Sequence, residues 1–350
     1  LRAGIGAPAH LRHDARHSSF GEFLRRPSHE FAKGFSTQSS LANALDGSMR
    51  RCEDCHTAER AHGFLPRAER HLEQLGCETC HIPRVPGPAR SVTDYSYPDP
   101  GGNPRLEYRG LQGSMRDEQA LVTGYEPLWL RRTEPSGKQR VLPYNLVTTF
   151  YWVVDAPDGP RPAPLELLAR AFSTDSAAGR ELRQALDRNR DGTLGEDERV
   201  LYSEALVKRA ESLLVQAGAR APRLVGELQP YGVHHGVAPG REALRECAAC
   251  HGAASRFLSP FTLAERAPFG VTPQALPDAN VRLSAAPGVD ASGRLALTPS
   301  AAPAGLHVFG TSRYAWLDWA GMLIAAMTFM GVCTHGALRA RARRRPGAES

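Results

Sequence analysis

The feature that most constrains this chain is a five-residue pattern, Cys-x-x-Cys-His, which occurs three times: at residues 52–56, 77–81 and 247–251. Seven cysteines and 13 histidines scattered over 350 residues would give about 0.005 such pentads by chance. The three pairs use every cysteine but Cys333. A dithiol oxidoreductase needs one motif on a strand-to-helix turn, and a zinc site needs paired Cys-x-x-Cys units with no histidine fixed behind each. Neither explains why His56, His81 and His251 recur in the same place. Covalent attachment of a haem does: two thioethers fix the macrocycle, and the adjoining imidazole is forced onto one face of the iron. The expectation is three haem c groups, held by Cys52 and Cys55, Cys77 and Cys80, and Cys247 and Cys250, with His56, His81 and His251 as proximal ligands.

The opposite axial position decides the chemistry, because a second strong ligand makes an electron-transfer centre and an open position admits a substrate. Ten histidines remain for it. A histidine a few residues from its own pentad can hardly reach round the porphyrin, so His62 and His71 are expected to serve neighbouring haems, the two sites of "RCEDCHTAERAHGFLPRAERHLEQLGCETCH" exchanging ligands with each other or with an adjacent one. Pro66 and Gly76 bracket a helix with Ala68, His71, Leu72 and Leu75 on one face, which turns His71 inward. In "YGVHHGVAPGREALRECAACHG" a loop can carry His235, or less favourably His234, over a haem. His29 is a further candidate distal ligand, and His10, His13 and His17 are expected to be solvated or used against another chain.

"CETCHIPR", the preceding His71 and "SVTDYSYPDPGG" together resemble the octahaem tetrathionate-reductase-like group of multihaem cytochromes c, over residues 50 to 110. "HHGVAP" followed by "CAACHG" is similar to haem segments of membrane-linked electron-transfer cytochromes. The resemblance implies a largely helical, irregular fold around closely packed haems, with histidine ligation at His71 and His235. The chain departs from the octahaem pattern in having three pentads, no Cys-x-x-Cys-Lys variant and a membrane anchor, so the group's reductase activity is not carried over.

The anchor is "WLDWAGMLIAAMTFMGVCTHG", residues 316–336, about 20 apolar residues and therefore long enough to span a bilayer. Trp316 and Trp319 fall where an interfacial aromatic belt lies, and Arg339, Arg341, Arg343, Arg344 and Arg345 mark a cytoplasmic end. Those arginines supply most of the net charge of +6, which leaves the body nearly neutral and argues against a nucleic-acid partner. His335 is read first as an interfacial residue, with ligation of a b-type haem shared with another membrane subunit as the alternative. Cys333 is an apolar filler. The opening "LRAGIGAPAHLRHD" has no signal-type apolar run, so the expectation is a processed chain whose bulk is periplasmic.

"DRNRDGTLGEDE", residues 187–198, matches an EF-hand loop: Asp187, Asn189 and Asp191 as donors, Gly192 at the sharp turn, Thr193 through its carbonyl and Glu198 as the bidentate closer. Helical flanks are expected on both sides, and a bound Ca2+ there would be structural, since sensor hands work in pairs.

These readings predict a mainly α fold with much irregular structure packed around c-type haems, small β-hairpins and one C-terminal transmembrane helix. Residues 83–114, rich in Pro, Gly and Tyr, are expected to be irregular. A hairpin is expected about Pro135-Ser136-Gly137, helices near 165–186 and 196–217, and a hairpin or linker within 263–312. The segments are 1–115, with two haems and a histidine-rich arm; 116–229, hairpin plus helices with the calcium loop; 230–312, the third haem and a linker; 313–338, the membrane helix; and 339–350, a basic tail. The leading function is a membrane-anchored three-haem cytochrome passing electrons between a quinone-reactive or b-type membrane subunit and periplasmic redox partners. A haem reductase of a small sulfur or nitrogen oxyanion and a docking subunit of a larger redox complex are the alternatives.

Overall fold

The structure, a computed structural model, describes residues 51–134, 137–252, 254–275, 280–283, 285–290, 292–298, 308 and 315–343. His10, His13, His17 and His29 lie outside the described residues.

The molecule is organised by one strand. "QRVLPYNLVTTFYWVVDA" alternates β-branched and aromatic side chains for 18 residues as β6 (Gln139–Ala156), and its even-numbered residues are almost all buried. Seven strands gather on it, directly or through a neighbour, to make an eight-stranded sheet. Along one edge β5 (Leu128–Thr133), β1 (Ala89–Asp94) and β7 (Gly159–Pro162) pair in succession, and along the other runs β8 (Arg223–Gly232). β2 (Arg105–Arg109) continues the sheet beyond β1, β10 (Gln274–Ala275) beyond β8, and β11 (Val281–Arg282) beyond β5. β3 (Leu111–Gln112) and β4 (Leu121–Val122) form a short ribbon, and β12 (Pro287–Val289), β13 (Leu295–Leu297) and β9 (Phe261–Ala264) a second small sheet.

The mainly α expectation is therefore overturned. The error has a local cause: "ARSVTD" and "RLEYR" are short strands embedded in turn-forming residues, and β1 finds its parallel partner more than 50 positions downstream, at Thr148–Phe150. Composition flagged the turns, while the pairing that makes strands of the residues between them is long-range.

The same face of β6 supports two cores. Toward its start Leu142, Tyr144, Leu146 and Phe150 pack with Leu263, Leu295 and Leu297 of the small sheet. Toward its end Trp152 and Val154 lie under three helices, α4 (Leu165–Ala171), α5 (Ala177–Leu186) and α6 (Glu204–Gln216), whose inward residues Leu168, Leu182, Leu186, Ala210 and Leu214 are buried. α5 and α6 start where Ser176 and Ser203 accept N–H bonds from Gly179 and Leu206.

The opposite face, carrying Val141 and Trp129, receives the attachment segments: the 3-10 turn Cys52–Asp54, α1 (Ala58–Ala61), α2 (Ala68–Gln74), α3 (Cys77–His81) and α7 (Ala248–His251). The helix expected between Pro66 and Gly76 is α2. Gly76 is not a left-handed cap, however: it has φ −72° and opens α3. Its lack of a side chain is needed for packing, because a Cβ there would stand 2.2 Å from Leu142 Cδ2.

The described residues end with α8 (Ala315–Arg343), which is exposed along its length among those residues and is long and apolar enough to cross a membrane.

Candidate metal centres

Each pentad is one helical turn. His56 N–H donates to Cys52 O (2.9 Å) and His251 N–H to Cys247 O (2.8 Å), while the middle pentad is α3 itself. The turn sets both cysteines of a pair on one side, three residues apart, as two thioethers to a single macrocycle require. The first pentad is docked on the β5–β6 hairpin by ion pairs, Arg51 to Glu134 at 3.0 Å and Arg140 to Glu53. The second uses the edge of β6 that β8 leaves open: Leu75 bridges Val141, and both Gly76 N–H and Thr79 Oγ1 donate to Val141 O. The third is tied to the second, since Leu244 N–H donates to Cys80 O (2.8 Å) and Ala238 N–H to His81 O (2.7 Å).

Burial pushes the Cys80 thiol up, and the Cys250 thiol up to about 12. That is the reverse of the depressed thiol of a dithiol oxidoreductase. The Cys52 and Cys77 thiols share a hydrogen bond, which raises Cys52 and lowers Cys77, so the first and second attachment sites touch.

The histidines carry the most informative geometry. His81 Nδ1 faces Ala238 O at 3.2 Å, His62 Nδ1 faces Ala58 O at 2.7 Å and His71 Nδ1 faces Arg67 O at 3.2 Å. A carbonyl only accepts, so in each ring Nδ1 is the donor, and Nε2 is the nitrogen left for a metal. The rings are also paired across segments. His62 and His81 stand with centroids 6.1 Å apart and planes at 84°, and His71 and His251 at 6.0 Å and 76°. Two imidazoles sharing one metal through nitrogen bonds of about 2 Å place their centroids about 6 Å apart. The residues present therefore fit haem iron, each pair joining a pentad histidine to one from another segment.

His234 is turned into the core, 4% exposed, where Nδ1 meets Glu78 Oε1 at 3.2 Å and the ring fills the space beside Gly232. Sequence reasoning missed four participants: the Ala238 carbonyl, which no side chain announces; Glu78, whose only signal is an acid inside a pentad; and Trp129 and Arg256 beside Cys250.

The 187–198 loop makes the expected turn, with Gly192 at φ +83°. Asp187 Oδ2 accepts from Gly192 N–H, Asn189 Oδ1 from Asp191 N–H, Asp191 Oδ1 from Thr193 N–H, and the two Glu198 oxygens from Arg188 N–H and Gly195 N–H. The exit helix differs from expectation: α6 begins at Glu204, and 199–203 runs as coil.

Residues 15–82 match the model of the family described as cytochrome c554 and c-prime. An octahaem cytochrome c from Shewanella oneidensis is similar in structure, at 13% identity and TM-score 0.37, over 71% of this chain and 58% of that one. The chain thus spans a little over half of that protein's length. No curated protein matches it. The matched family segment contains the first two pentads, and a third of identical form lies downstream, so that over this stretch the chain is similar to multihaem cytochromes c.

Proposed function

We propose that this chain is a three-haem cytochrome held by α8 in a membrane, with its bulk periplasmic and Arg339–Arg345 cytoplasmic, which carries electrons between a quinone-linked or b-type membrane partner and periplasmic redox proteins. Haem c supplies reversible one-electron chemistry at iron; the chain supplies attachment, axial ligands and a dry setting. The observation that carries the reading is the pair of cross-segment histidine contacts, His62 with His81 and His71 with His251. They support six-coordinate iron, which stores an electron without binding substrate, at the second and third sites. For the first site, behind His56, the candidates are His29, His234 and His235; the burial of His234 against Gly232 favours the other two.

The test is intact mass with low-temperature electron paramagnetic resonance on the membrane-extracted full chain. Three covalent macrocycles with wholly low-spin iron are expected. His62→Ala and His71→Ala should each convert one haem to high spin without changing the mass count of macrocycles. High-spin iron in the wild type that shifts on adding nitrite or sulfite would instead favour the reductase.

We also propose that Ca2+ binds the 187–198 loop through Asp187, Asn189, Asp191, the Thr193 carbonyl and Glu198, replacing the N–H groups that these side chains accept. Calcium in excess over chelator should raise the melting temperature, and Asp187→Ala should abolish that rise.

A further inference from the structure

Two buried donors, on side chains stacked against each other, have no acceptor. Trp129 is 2% exposed, yet its Nε1 has no hydrogen-bond partner, and neither has the buried Nη2 of Arg256. The guanidinium lies over the Trp129 ring, 4.6 Å from its centroid, and uses Nε for Glu126 at 3.4 Å. Glu126 is largely solvent-exposed and leaves the inner end of the fork unmatched. Burial holds the Arg256 guanidinium below its ordinary range. Phe257, Val141 and Leu75 wall the site, and Cys250 packs against it.

A desolvated cation and a desolvated indole N–H in contact call for one anionic acceptor. Oxygen geometry suits them, because a guanidinium matches a carboxylate and an indole can only donate. The site lies against the attachment residue Cys250, which favours an anion tethered in place over one that diffuses in. We infer that Trp129 Nε1 and Arg256 Nη2 bind one oxyanion beside the second and third attachment sites, and that this oxyanion is a haem propionate carboxylate. The inference rests on the haem reading above. It gives these two residues a role that attachment and ligation leave untouched: neutralising a propionate, and so favouring the ferrous state of a nearby iron.

The test uses the full haem-loaded chain, its loading checked by intact mass, with midpoint potentials from spectroelectrochemistry. Arg256→Met should move the ferric–ferrous equilibrium of at least one haem about tenfold toward ferric, which is 59 mV for a one-electron couple. Trp129→Phe removes a neutral donor alone and should shift the same haem in the same direction by about threefold, an effect that loss of a nearby positive charge does not produce. Arg256→Lys keeps the charge and covers the case in which the methionine variant fails to fold; it should shift less than Arg256→Met. Nitrite and sulfite should leave the wild-type Soret band unmoved. A Soret change with either anion that Arg256→Met abolishes would keep the oxyanion site and overturn the propionate as its occupant. Loaded variants whose midpoints all stay within twofold overturn the inference alone, whereas a wild-type chain without macrocycles overturns it together with the haem reading.

Discussion

The helical layer over β6 and the attachment segments on its other face are built on different terms. α4, α5 and α6 bury leucines completely, among them Leu182, Leu186 and Leu214, against Trp152 and one another. The turn Cys52–Asp54, α2 and α7 bury no residue at all. They are short and held mostly by backbone bonds and ion pairs, with apolar contact limited to residues such as Leu75 and Cys250. A polypeptide that orders so many residues with so little core of its own must bury something else, because local hydrogen bonds alone do not repay the lost chain entropy. The difference teaches that one half of the fold is specified by side chains, and that the other is specified by what the side chains hold.

The sharpest way to break this contrast is to remove an attachment. Cys77→Ala with Cys80→Ala should lose one macrocycle by mass and expose residues 51–87 and 233–258 to limited proteolysis, while 139–232 stays protected. Equal protection throughout would mean that the attachment segments stand alone. Next in size, Leu182→Ala in the helical layer should cost about 2–5 kcal/mol in denaturant unfolding and leave the Soret spectrum unchanged.

A subtler effect follows from acid. Burial alone would raise the Glu78 carboxyl, but the hydrogen bond and charge of His234 outweigh it and hold it below the ordinary glutamate range. A carboxylate depressed on folding adds stability above its unfolded pKa and loses it as pH falls through the folded one. Stability should therefore decline on acidification below the ordinary glutamate range, and Glu78→Gln should flatten that limb of a melting-temperature profile. The smallest effect belongs to Arg140→Gln, whose partly exposed pair with Glu53 contributes at most about 1 kcal/mol; it should loosen the first pentad in hydrogen exchange and leave α4–α6 unaltered.

Legibility in the sequence followed the same divide. The pentads, α2, the β5–β6 hairpin and the apolar α8 are announced by local spacing; the helical stretch 165–186 is too, but as one helix where the structure has α4 and α5 parted at 172–176. β1 and β2 were hidden because "ARSVTD" and "RLEYR" become strands only against β6 and each other. The calcium-like turn was legible, but the coil before Glu204 was not, since "ERVLY" has helical spacing until Val200 and Leu201 are drawn into the core. Of the histidines, that His62 and His71 turn to other segments could be anticipated from reach alone. Which ring meets which depends on how α2 and α7 lie together.

Ala238 binds His81 twice through its main chain, giving its N–H to the histidine carbonyl and taking the ring proton on its own carbonyl. Its methyl group has no part in either bond. Evolution could exchange that alanine for nearly any other residue without disturbing the imidazole, provided the chain path is kept. Proline is the exception, for it would strip away the amide hydrogen, and the position would betray its importance only through the one amino acid it forbids.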